Sequence, residues 1–106
     1  MNAQFKKGVL DLCVLSLLRK RDYYGYELAE KISGSIEIAE GTLYPLLRKL
    51  KADGLCETYL SDGSGGPPRK YYRLTQAGKD AEEALRADWT DFTKSVRDLT
   101  EDAAHE

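Results

Sequence analysis

The segment that most restricts this chain is SDGSGGPP, residues 61–68, which neither a helix nor a central strand can traverse. Its glycines free the backbone and its two prolines remove amide donors, so it reads as a loop. On either side stand LCETYL (residues 55–60) and RKYYRL (residues 69–74), hexads that read as strands. A β-hairpin with a long flexible tip is therefore expected in a chain whose other patterned segments are all helical.

Three helical patterns precede the hairpin. Residues 5–20 carry Val9, Leu10, Leu12, Cys13, Val14, Leu15, Leu17 and Leu18, too dense for a helix with one buried face, so this helix is expected to be covered on two sides. RDYYGY (residues 21–26) breaks it. Leu28, Ala29 and Ile32 then recur at helical spacing until Ser33-Gly34-Ser35. Leu43, Leu46, Leu47 and Leu50 follow the i, i+3, i+4, i+7 rule over residues 42–52, and Asp53-Gly54 ends this third helix. Behind the hairpin, Thr75 can cap one long helix from Gln76 to about Thr100, with residues 101–106 as a frayed tail. Within it Leu85, Trp89, Phe92, Val96 and Leu99 are spaced four, three, four and three residues apart, a heptad seam.

The 106 residues suit one structural unit, divisible into a head, residues 1–75, and a helical arm, residues 76–106. The net charge of −2 hides an asymmetry: residues 1–79 hold 13 Lys/Arg against 9 Asp/Glu, whereas residues 80–106 hold 3 against 9. A basic head is compatible with phosphate, because attraction depends on the local field rather than the total. No apolar run approaches the length of a membrane span, and no signal-peptide pattern follows the N-terminus, which points to a cytoplasmic protein. Cys13 and Cys56 lack metal-ligand spacing and His105 sits in a polar tail, so no metal, cofactor or convergent catalytic group is expected, and the chain does not read as an enzyme.

Three helices followed by a two-stranded hairpin is the order of a winged helix-turn-helix, a mainly α fold with a small β-hairpin in which the third helix enters the major groove of DNA. With its core on Leu43, Leu47 and Leu50, that helix turns Gly41, Pro45, Arg48 and Ala52 outward, flanked by Thr42, Tyr44 and Lys49. Small residues permit close approach to a groove, Arg48 can donate twice to a guanine edge, and Thr42 and Tyr44 can donate to phosphate. Taken alone, the same face also reads as an ordinary solvated one. Arg69 and Lys70 at the base of the hairpin can follow the DNA backbone, or simply guard a strand edge against aggregation. A winged-helix module that binds another protein instead of DNA satisfies the same pattern.

The residues also carry a resemblance. GTLYPLLRKLKADGL (residues 41–55), GGPPRKYYRLT (residues 65–75) with Gly78, and YGYEL (residues 24–28) resemble, in that order, the motifs of the PadR family of bacterial transcriptional regulators, over about residues 5–100. The single long C-terminal helix is similar to the short branch of that family. Ala39 departs from the polar residue common before the third helix, leaving Glu40 to complement the helix dipole. The resemblance implies a homodimeric repressor of a double-stranded DNA operator whose C-terminal helix packs against the partner subunit.

The seam supports the same assembly, since a heptad stripe this short is marginal without a partner surface. Leu85, Trp89, Phe92, Val96 and Leu99 are its expected dimer residues. In multidrug-binding short members of the family, the tryptophan matching Trp89 pairs across the dimer and sandwiches flat aromatic ligands. By that resemblance Trp89 is a candidate site for a small aromatic effector, with Phe92, Phe5 and Leu12 as neighbours. The alternative is a tryptophan that fills the dimer core.

Overall fold

A computed structural model describes residues 3–39, 41–62 and 65–105, with side chains described over 8–39, 41–62 and 65–101. The elements are α1 (Ala3–Lys20), β1 (Tyr23–Tyr24), α2 (Gly25–Ser33), α3 (Leu43–Ala52), β2 (Cys56–Ser61), β3 (Arg69–Leu74) and α4 (Gln76–His105). Glu40 lies outside the described residues, and so does Gly63 in the hairpin tip.

The core forms where the dense and the amphipathic helices meet the hairpin. Leu10, Val14, Leu15 and Leu18 of α1 pack with Leu28 and Ile32 of α2, and with Leu43, Leu46, Leu47 and Leu50 of α3. Tyr72, Leu74 and Cys56 close this core from the sheet. Each fully buried leucine contributes about 1.5–3 kcal/mol relative to exposure. The second covering of α1 comes from α4, whose Ala81 and Leu85 pack onto the core beside Leu17.

Two expectations need correction. Residues 21–26 are more than a break: Tyr23 and Tyr24 pair with Tyr72 and Tyr71, giving an antiparallel three-stranded sheet in the order β1-β3-β2. Two residues are too few to show a period of two, so only the ladder reveals them. The long helix runs on to His105 instead of fraying after Thr100. Residues 101–105 include good helix formers, which extend a helix already nucleated.

Thr75 caps α4 as expected, its Oγ1 accepting from the Gly78 amide at 3.0 Å. The same hydroxyl donates to the Gly54 carbonyl at 2.7 Å, tying α4 to the turn that ends α3. Gly54 there has φ +77°, which favours glycine. At Gly78 a Cβ would lie 2.0 Å from the Leu55 carbonyl oxygen and 2.5 Å from Leu74 Cδ1. The first turn of α4 therefore rests directly on the hairpin base. Beyond Arg86 α4 leaves the head as an arm, and the molecule measures 61 × 27 × 22 Å.

Candidate nucleic-acid interface

The outward face of α3 is exposed along its length, from Gly41, Thr42 and Tyr44 to Pro45, Arg48, Lys49 and Ala52. Tyr44 and Arg48 line an open cleft of about 380 Å³, met there by Arg69, Lys70 and Tyr72 of β3 and by Tyr24, Gly25 and Tyr26 where β1 passes into α2. Four of the six residues expected to face DNA, Tyr44, Arg48, Arg69 and Lys70, thus come from separate elements to one place. Arg48, Arg69 and Lys70 make no ion pair with any carboxylate among the described residues, whereas Arg19, Arg21, Arg73 and Arg86 do. The Arg69 guanidinium lies over the Tyr24 ring instead, 4.7 Å from its centroid.

The other two residues stand apart from the cleft. Thr42 occupies the N-cap of α3 in a helical conformation, with no side-chain cap bond. Lys49 Nζ lies 4.0 Å from Asp11 and 3.9 Å from Asp53, on the side of α3 toward α1.

Tyr24 and Tyr26 are cleft residues that the sequence reading did not assign. Their motif was visible, but their role depends on β1, which carries the chain past β3 into the first turn of α2. Glu27 Oε1 accepts from the Tyr24 amide at 3.2 Å and starts that helix. A Cβ at Gly25 would come within 3.1 Å of Tyr44 Cε1, so the glycine admits the α3 tyrosine to the cleft wall. A hydrogen bond to Glu30 raises the Tyr26 phenol above its ordinary pKa.

The outer face of the sheet carries an aromatic ladder. Tyr59 stacks on Tyr71 at 5.6 Å, Tyr71 meets Tyr24 edge-on at 5.7 Å, and the Arg69 guanidinium sits 4.7 Å above Tyr24. The Tyr59 hydroxyl donates to Asp22 Oδ2 at 2.5 Å. That bond, then burial, raises the Tyr59 pKa.

On α4 the seam divides. Leu85 packs against its own core, whereas Trp89, Phe92, Val96 and Leu99 are exposed by 38%, 48%, 42% and 73%. The Trp89 and Phe92 rings lie 6.2 Å apart. Leu12 is half-buried on α1, and the Phe5 side chain lies outside the described residues. Cys13 and Cys56 are free thiols, their pKa values raised by burial. Among the described residues no group of side chains could hold a metal ion, and no helix is long and apolar enough to cross a membrane.

Comparison with known proteins agrees with this geometry. The Transcriptional regulator PadR-like family matches residues 14–84. A Streptococcus transcriptional regulator of known structure is 31% identical with a TM-score of 0.86, covering 93% of this chain and 99% of its own. A PadR-like transcriptional regulator from Bacillus cereus is 35% identical with a TM-score of 0.84, covering 92% of this chain and 97% of its own. Transcriptional regulator Rv3488 of Mycobacterium tuberculosis is 33% identical over 81 residues, 74% of this chain and 73% of that protein. With its three motifs, its wing and its long last helix, the chain belongs to the PadR-like family of DNA-binding transcriptional regulators, and not to a family of enzymes.

Proposed function

We propose that the chain is a cytoplasmic homodimeric repressor that grips a twofold double-stranded DNA operator with residues 1–75 and joins its partner through residues 76–106. The observation that carries this reading is the convergence of Tyr44 and Arg48 from α3 with Arg69 and Lys70 from β3 around one open cleft. In this reading α3 enters the major groove. Gly41, Pro45 and Ala52 permit close approach, Arg48 donates to a base edge or phosphate, and Arg69 and Lys70 follow the adjoining backbone. Tyr44 and Thr42 donate to phosphate at the start of the helix. Lys49 reaches phosphate only by leaving Asp11 and Asp53, so its share of the affinity is smaller.

One head of this size makes too few contacts for a specific site, while a twofold dimer reads two half-sites about one helical turn apart. The exposed apolar stripe Trp89, Phe92, Val96 and Leu99 supports α4 as the joint. A small flat aromatic effector bound against Trp89 and Phe92, near Leu12 and Phe5, then changes the angle between the two heads and releases DNA. Selection of bound duplexes from a random pool should return a twofold sequence, and the protein should sediment as a dimer. A monomer that binds an asymmetric site at full strength overturns the dimeric reading.

A further inference from the structure

The base of the wing is fastened by Cys56, Tyr72 and Leu74 in the core, and its edge is joined to the helices through β1. β1 joins β3 through only two residue pairs, Tyr23 with Tyr72 and Tyr24 with Tyr71, yet it is β1 that connects the hairpin to the first turn of α2 and hence to the cleft. A tie that crosses all three strands is made by Tyr59. It belongs to β2, and its hydroxyl reaches Asp22 just ahead of β1, with β3 between them. On the way its ring lies against Tyr71 and beneath the Arg73 guanidinium, 5.1 Å away. Arg73 is itself bound to Glu57 at 2.9 Å. The far end of the ladder is Tyr24, which carries Arg69.

We propose that Tyr59 and Asp22 are positioning residues of the DNA interface: their bond across β3 sets the angle of the wing, so that Arg69 and Lys70 meet the same duplex that Arg48 reads. The inference rests on the reading that wing and α3 bind DNA together. Neither residue lines the cleft, and Tyr59 brings no charge to phosphate. Its loss therefore changes where the wing cations fall without changing how many there are. A random duplex accepts many wing angles, whereas an operator accepts the one that its base contacts dictate. Specificity, rather than affinity in general, is what the tie controls.

The test uses the full chain, an operator selected from a random pool, and a random duplex of equal length. Tyr59→Phe removes the hydroxyl and keeps the ring. It should weaken the operator by about fivefold, the scale of one hydrogen bond, and the random duplex by less than about twofold. In an Asp22→Ala background the same change should have no further effect on either duplex, because the bond is already gone. A loss of stability alone removes active protein and weakens both duplexes equally, leaving their ratio fixed; that result, or an unchanged operator affinity, overturns the proposal. Arg69→Ala separates the levels. If it weakens both duplexes while Tyr59→Phe leaves the ratio fixed, the positioning role fails and the wing contact stands. If Arg69→Ala is silent, the wing contact fails, and the proposal with it.

Discussion

Gly78 and Gly8 are both helical glycines, but their surroundings give opposite expectations. A methyl at Gly78 collides with the Leu55 carbonyl, a backbone atom that cannot turn aside, while nothing lies within 4 Å of the Cβ position at Gly8. Gly78→Ala should destabilise the fold by about 1–3 kcal/mol, and Gly8→Ala should stabilise it by about 0.5–1 kcal/mol, both read by urea denaturation. A neutral Gly78→Ala would mean that α4 does not bear on the hairpin. Glu82 is the buried carboxylate of α4, only 1% exposed. Burial pushes its pKa up, but hydrogen bonds from Arg86 and Ser16 and the charge of Arg19 hold it below the ordinary value. Because the folded-state pKa is the lower one, the stabilisation is complete above the unfolded carboxylate range and disappears as pH falls through the folded value. Glu82→Gln should cost ~1–3 kcal/mol at neutral pH and flatten the acid limb of stability, measured by denaturation across pH. At the cleft, Arg48→Ala should cost ~1–3 kcal/mol on the operator alone, whereas Arg69→Ala should weaken all duplexes and reduce the salt slope by about one unit. Equal losses on operator and random DNA for Arg48→Ala would place that residue on phosphate only.

At the scale of elements, what the sequence made legible depended on how many turns or alternations each element contains. α3 has three turns of leucines at helical spacing, and β3 has six residues between a proline and a cap, so both stood out by periodicity and punctuation. β1 has two residues and exists because β3 offers it a ladder; no local pattern marks it. For the same reason the sequence singled out Arg48, Arg69 and Lys70 but not Tyr24 and Tyr26, which line the same cleft. The seam of α4 was legible as a spacing but not in its division of labour. Spacing puts Leu85 and Val96 on one stripe, yet Leu85 packs into the head and Val96 stands exposed. A charge at Leu85 therefore tests the fold, and charges at Val96 and Leu99 test the joint. Val96→Glu with Leu99→Glu should give a folded monomer by sedimentation, with a near-native circular dichroism spectrum. Leu85→Glu should unfold the head at a lower temperature whatever the oligomeric state. A double variant that remains a dimer moves the joint elsewhere on the surface.

At the scale of the whole molecule, a basic head continues into an acidic arm, and in the proposed dimer an event on the arm acts on DNA through the direction in which the head is carried. A flat aromatic compound, neutral or cationic, is expected to bind against Trp89 and Phe92, whose adjacent rings offer a broad polarizable surface and, for a cation, a negative quadrupole. Binding by itself releases nothing. Release requires a difference in affinity between DNA-competent and DNA-incompetent dimers, and a tenfold release corresponds to about 1.4 kcal/mol of that difference. Trp89 is the chain's single tryptophan, so its fluorescence reports the site without labelling. Titration with candidate compounds should quench it over the same concentration range that frees the operator, and Trp89→Ala, in protein that still sediments as a dimer, should abolish the release. Quenching without release makes the site a passive pocket. Release that survives Trp89→Ala places the sensor elsewhere, and a broad screen with neither makes Trp89 part of the packing that joins two copies.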